Sequence, residues 1–363
     1  MCQRTNNLQE TLKLALQLPV HARSILFVVL TCAIMFSPSL VNIITVSDAQ
    51  QTTLQNKEKV FVTYAGSLIK IFESSIGPSF EKKTGYAYTG EGRGSVQIAN
   101  MIIDGQRKPD IFVSAGTIPI MKLMTVDNTS SKQQQQSLAR WLVKFASTEM
   151  VIAYSPTSRS HLDLDYAKNG QIPWYQVLSQ PGFKFGRTDP ELDPKGYYMV
   201  IAAKLANIYY NDKTIDQRIL GQDRNSRQIF PEETLTTTLE TGQLDAIAAY
   251  KHEAIARGLS YITLPSQINL GNPSFSDFYE KASYTSITGK TVYGEPIYFS
   301  VTIPEATVNN LNGAVSFVRF LLSTDGQHIL QNQGLDYIKP IAEGQIDKIP
   351  IDIRNMISMA RAS

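Results

Sequence analysis

Cysteine is nearly absent from this chain. Only Cys2 and Cys32 occur among 363 residues, both near the N-terminus. The rest of the chain therefore offers no disulfide framework and no thiolate metal site. Histidine is equally sparse. His21, His161, His252 and His328 are scattered, and none makes an HxH or HExxH spacing, so the ligand pattern of a zinc enzyme is missing. Charge of one sign is lacking too. The formal net charge is +2, which argues against the broad basic face that nucleic-acid binding needs. Nucleotide and nucleophile motifs are also missing. Gly90-Glu91-Gly92-Arg93-Gly94 is not the dinucleotide G-x-G-x-x-G, and there is no Walker A lysine motif and no G-x-S-x-G elbow.

What is present indicates a globular chain. Hydrophobic residues make up 43% and charged residues 18%, and the length suits two domains. Arg4, Lys13 and Arg23 precede an apolar run from Ile25 to about Val46, which ends at Ser47-Asp48-Ala49. That pattern reads as an export segment over 1–49, either a signal peptide cut before Gln50 or an uncleaved membrane anchor. A polar linker over 50–59 follows. The mature protein is expected outside the cytoplasmic membrane, periplasmic or extracellular. The stretch 127–137, with Gln133–Gln136, reads as a polar surface loop.

From Val60 the pattern alternates strands and helices, which predicts an α/β fold. Val60–Tyr64 reads as a buried strand, followed by Gly66-Ser67 and a helix carrying Leu68, Ile71, Phe72 and Ile76. Gly77-Pro78 is expected to interrupt that helix. Tyr86–Thr89 is a short strand, Gly90–Ser95 a glycine-rich loop, and Val96, Ala99, Ile102 and Ile103 the inner face of the next helix. Further strands are expected at 110–114, 149–155, 184–188, 245–250, 260–264 and 297–303.

Three junctions share one chemistry. Gly66-Ser67, Gly94-Ser95 and Pro194-Lys195-Gly196 each place backbone donors at a helix start. Ser67 and Ser95 read as N-caps with hydroxyls to offer, and Asp193 as the cap before Pro194. Convergent helix N-termini beyond strand ends suit a small oxyanion. The catalytic rival is a secreted serine hydrolase, with Ser67 or Ser95, His252 and a carboxylate such as Asp245.

The ordered set of motifs resembles the molybdate/tungstate-binding proteins of ABC importers, within the extracellular solute-binding class. The set runs Tyr64-Ala65-Gly66-Ser67-Leu68, Gly94-Ser95-Val96, Asp110–Ala115, Glu149–Tyr154, Phe185–Pro190, Asp193-Pro194-Lys195-Gly196-Tyr197, Leu244-Asp245-Ala246 with Tyr250-Lys251, Tyr261–Pro265 and Ile268-Asn269-Leu270. The resemblance implies a two-lobed periplasmic-binding-protein-like fold of type II, with a ligand cleft between lobes joined by a hinge. The first lobe is expected over 60–140, the second with the hinge crossings over 141–292, the return over 293–345, and a tail over 346–363. It implies a non-enzymatic monomer without cofactor, partnered by a membrane permease and its ATPase. Molybdate or tungstate is the implied ligand; sulfate and phosphate are the alternatives on the same scaffold.

The resemblance assigns the ligand to Ser67, Ser95, the backbone of Ala115, Asp193, Lys195 and Tyr250, with Arg187 either lending charge or lying on the rim. It also implies that six-coordinate binding needs two carboxylates. Asp193 matches one, and the other is sought just before Tyr250-Lys251, where Ala249 stands. The expectation is therefore a tetrahedral anion held by hydrogen bonds, with Asp193 capping its helix.

Overall fold

A computed structural model describes residues 57–125 and 137–362 of the chain. The export segment and linker, and all of the expected polar loop except Ser137, lie outside the described residues. Two sheets, each tied to its own helices, make two lobes within the unit Lys57–Ser363.

The first lobe is built on β1 (Lys59–Ala65), β2 (Ala87–Arg93), β3 (Ile111–Ala115) and β4 (Trp141–Ser147). The second holds β5 (Met150–Tyr154), β6 (Phe185–Gly186), β7 (Ala246–Tyr250) and β8 (Ser260–Thr263). A hairpin of β9 (Ser283–Thr285) and β10 (Thr291–Tyr293) follows. The chain then returns to the first sheet as β11 (Tyr298–Thr302) and β12 (Asp336–Gly344). The first sheet has the order β12-β4-β11-β3-β1-β2 and the second β6-β7-β5-β8. β1 runs parallel to both its neighbours. It is covered on both faces, which is why Val60, Val62, Tyr64 and Ala65 form a nearly continuous apolar run.

The three parallel strands end side by side at Ala65, Arg93 and Ala115. Gly66, Gly94 and Gly116 come next in the chain. Helix starts therefore gather at one edge of the sheet, where ligands of open α/β sheets sit.

Several expectations are corrected. Gly90–Arg93 is not a loop but the second half of β2, paired with Val62–Ala65. Its glycines serve close approach: a Cβ on Gly90 would lie 2.2 Å from a Glu73 oxygen, and one on Gly92 2.4 Å from Ile69. Pro78 does not break its helix. The helical run 66–84 is continuous, and Phe72–Ile76 widens into a π turn just before the proline. That turn removes the clash a proline ring makes with the carbonyl four residues back. On the next helix, Ser95–Ile103, Ile98 is buried with Ala99 and Ile102, whereas Val96 and Ile103 are only partly covered. Trp141–Ser147, expected in the second lobe, is an interior strand of the first, between β11 and β12. The stretch 346–363 includes a helix, Ile351–Ala362, that buries Ile353 and Ile357 at i, i+4 spacing.

The chain crosses between lobes at Thr148-Glu149 and again around Leu270 and Ile297. The crossing segments are bonded to one another: Thr148 N–H donates to Ile297 O (3.2 Å), Ile297 N–H to Leu270 O (2.8 Å) and Met150 N–H to Asn269 O (2.8 Å). Leu270 holds a φ of 59°, a conformation that a branched apolar residue adopts only when its surroundings impose it.

Candidate functional site

In the first lobe, neither serine is a cap. Ala65 and Gly94 occupy the N-cap positions and make no side-chain cap bonds. Ser95 sits one step further in and Ser67 two, so capping does not consume their hydroxyls. Ser95 is fully buried, and its Oγ accepts from the Ala115 N–H at 3.1 Å. That backbone donor, expected to point at the ligand, is thus taken by Ser95. Ser67 Oγ is buried and makes no hydrogen bond, a state that costs free energy unless a partner arrives.

In the second lobe, Asp193 caps the helix Pro194–Tyr209 as expected. Its Oδ1 accepts from Lys195 N–H at 2.6 Å, and from the Thr188 hydroxyl at 3.3 Å. Lys195 is fully buried, and its ammonium is not free for an anion. It lies 2.9 Å from both Glu253 oxygens, and 3.0 and 2.9 Å from Oε1 and Oε2 of Glu232. Only the Glu232 Oε1 contact has hydrogen-bond geometry, which leaves Oε2 without a hydrogen bond. Glu253 also accepts from Tyr250 N–H at 2.9 Å. The Tyr197 and Tyr250 hydroxyls are buried without partners.

Two buried carboxylates thus hold one ammonium and a third, Asp193, lies in the same cluster, so full ionisation would leave two uncompensated negative charges. Protons relieve part of this. Burial pushes Asp193 up to about 6, against the pull of Lys195. Burial, with Asp193 nearby, raises Glu232 well above the usual carboxylate range. Burial works against Glu253 as well, but Lys195 and the Tyr250 N–H outweigh it and hold that acid low. Burial likewise raises both tyrosines.

The two halves meet closely. A Cβ on Gly66 would lie 2.2 Å from Glu232 Cγ, and one on Gly94 2.5 Å from Leu192 O. Gln97 N–H donates to Leu192 O at 3.0 Å, and Arg93 pairs with Glu233 at 3.3 Å. A cavity of about 270 Å³, lined in part by Gly94, Asp193 and Glu232, opens at this junction. A larger groove of about 610 Å³ lies beside the β9–β10 hairpin and touches none of these groups.

Ser67, Ser95 and Ala115 therefore come together on one side, and Asp193, Lys195 and Tyr250 on the other. Arg187 is neither on the rim nor in the cluster. It is fully buried in the second lobe, with Nε on Gln228 and Nη2 on Gln222 O, and burial lowers it to about 10. No acid directly precedes Tyr250, but another carboxylate joins the cluster. Glu232 arrives from the helix Glu232–Glu240 and pairs with Lys195, a carboxylate that the sequence reading did not include. A first-turn acid after Pro231 carries no local mark of this role, since acids favour helix N-termini anywhere. The hydrolase triad is not assembled. His252 places its nitrogens on Thr148 and the Ser67 carbonyl, and Asp245 binds Arg159 and the Lys184 N–H.

Solved structures share this architecture. The periplasmic molybdate-binding protein of Azotobacter vinelandii superposes with a TM-score of 0.51 at 15% identity, over 77% of this chain and all but 1% of that one. A Pyrococcus abyssi protein named molybdate/tungstate-binding protein WtpA is 31% identical over 95% of this chain and 99% of its own length. A solute-binding protein of Petrotoga mobilis is 32% identical over 82% of this chain and 90% of its own. A family model for bacterial extracellular solute-binding proteins matches residues 60–336. That span takes in most of both lobes and every residue of the cluster, and the chain belongs to the bacterial extracellular solute-binding protein family.

Proposed function

We propose that this protein captures molybdate or tungstate outside the cytoplasmic membrane and delivers it, as a monomer, to an ABC permease driven by a cytoplasmic ATPase. The observation that carries the reading is the set of buried hydroxyls without partners, on Ser67, Tyr197 and Tyr250, at the junction of two lobes. Such donors cost stability until an acceptor enters, and hydrogen bonds to an ionised acceptor are the strong ones. The helix start at Gly66-Ser67 adds backbone donors and a favourable dipole. The name of the Pyrococcus relative supports this pair of anions. The segment 1–49 supplies export, as a signal peptide or an anchor.

Thermal unfolding in a concentration series of molybdate, tungstate, sulfate and phosphate tests the reading. A ligand that binds only the folded state raises Tm with its concentration. Molybdate and tungstate are expected to raise it most. A Tm indifferent to both removes the proposal.

A further inference from the structure

His252 is fully buried, and the anion-binding chemistry above does not use it. It is the second residue of the second lobe's helix Lys251–Arg257, yet it reaches both the lobe crossing and the first lobe. Its Nδ1 lies 3.2 Å from Thr148 Oγ1, at a lobe crossing, and its Nε2 lies 3.3 Å from the Ser67 carbonyl. Its ring stacks on Tyr250 at 5.7 Å and meets Phe299 of β11 edge-on at 5.2 Å.

A carbonyl oxygen only accepts, so Nε2 carries the proton. In the neutral ring Nδ1 is then an acceptor, and the Thr148 hydroxyl donates to it. Burial, working against the nearby Glu253 carboxylate, lowers the imidazole to about 4, which keeps it neutral at ordinary pH. The result is one directed chain from hinge hydroxyl through the imidazole to the Ser67 peptide.

We propose that His252 is a positioning residue for anion binding: it ties Thr148 at the hinge to the Ser67 peptide, and so fixes Ser67 and Tyr250, from opposite lobes, in the closed arrangement. This rests on the reading of the cleft as an oxyanion site. A contact made only once the lobes have met slows ligand escape and leaves the encounter rate alone.

Stopped-flow kinetics with tungstate on wild type, His252→Phe and His252→Gln test it. Phenylalanine keeps the ring packing and loses both nitrogens; glutamine restores an N–H for the Ser67 carbonyl. Loss of two buried hydrogen bonds predicts a dissociation rate about tenfold faster or more in His252→Phe, with association unchanged and most of the loss recovered in His252→Gln. A wild-type dissociation rate in His252→Phe, a loss confined to association, or no recovery in His252→Gln overturns the proposal. If His252→Phe does not fold, Thr148→Val is read the same way, with dissociation a few times faster expected and none contradicting it. A wild type that binds no tungstate refutes the oxyanion reading instead. The tie is then judged by ¹⁵N NMR of the free protein's histidine rings: a slowly exchanging Nε2–H supports it, and an Nδ1–H ring refutes it.

Discussion

Ser67 and Ser95 look interchangeable in the chain, and alanine at each has opposite consequences for the empty protein. Ser67 Oγ is buried without a partner. Leaving a buried polar group unsatisfied costs about 1–3 kcal/mol. Ser67→Ala removes that cost, and the empty protein should melt higher, by about 2 °C for each kcal/mol recovered in a chain of this size. Ser95 Oγ instead accepts from the buried Ala115 N–H at 3.1 Å. Ser95→Ala orphans that donor, and the empty protein should lose about 1–3 kcal/mol and melt lower. With anion present, Ser67→Ala forfeits a charge-assisted hydrogen bond of about 1.5–3 kcal/mol, or roughly ten- to 150-fold in Kd. Calorimetric unfolding of each variant without ligand, beside titration with tungstate, measures all of this. A Ser67→Ala protein that melts lower when empty and binds as tightly as wild type would refute the reasoning.

Two further predictions follow from the cluster. A dianion added beside three buried acids and one ammonium raises their proton affinity further. Asp193 sits at about 6, above its unfolded value of 3.8, so its stabilising contribution is full below that value and is lost as pH rises through about 6. Anion binding should likewise weaken as pH rises through about 6, by at most about tenfold per unit for one proton. Asp193→Asn keeps the cap acceptor and should flatten that profile; an identical slope in the variant counts against the assignment. Gly66→Ala would set a Cβ 2.2 Å from Glu232 Cγ, across the cleft. It should prop the lobes apart and weaken binding while leaving each lobe folded, and X-ray scattering with saturating tungstate should show less compaction than wild type; equal compaction would sink the idea.

Much of this was legible in the chain, for identifiable reasons. β1 and the helix after it declare themselves through a β-branched run, a Gly-Ser turn and apolar spacing at Leu68, Ile71, Phe72 and Ile76, all of them buried. What failed did so where one residue serves two purposes. Glycine marks loops, yet Gly90 and Gly92 lie inside a strand because Glu73, Tyr64 and Ile69 press against it. Trp141–Ser147 is apolar on both faces, a pattern periodicity alone does not separate from a buried helix. Glu232 lies 37 residues from Lys195 in the chain, and only tertiary packing brings the two together.

The central claim is that this cleft takes a molybdenum or tungsten oxyanion. Isothermal titration of the mature protein with molybdate, tungstate, sulfate and phosphate, each in turn, tests it most directly. One saturable site for molybdate and tungstate, with much weaker heats from the two smaller anions, is the predicted result. No saturable binding of molybdate or tungstate, or tighter binding of sulfate or phosphate, would contradict it.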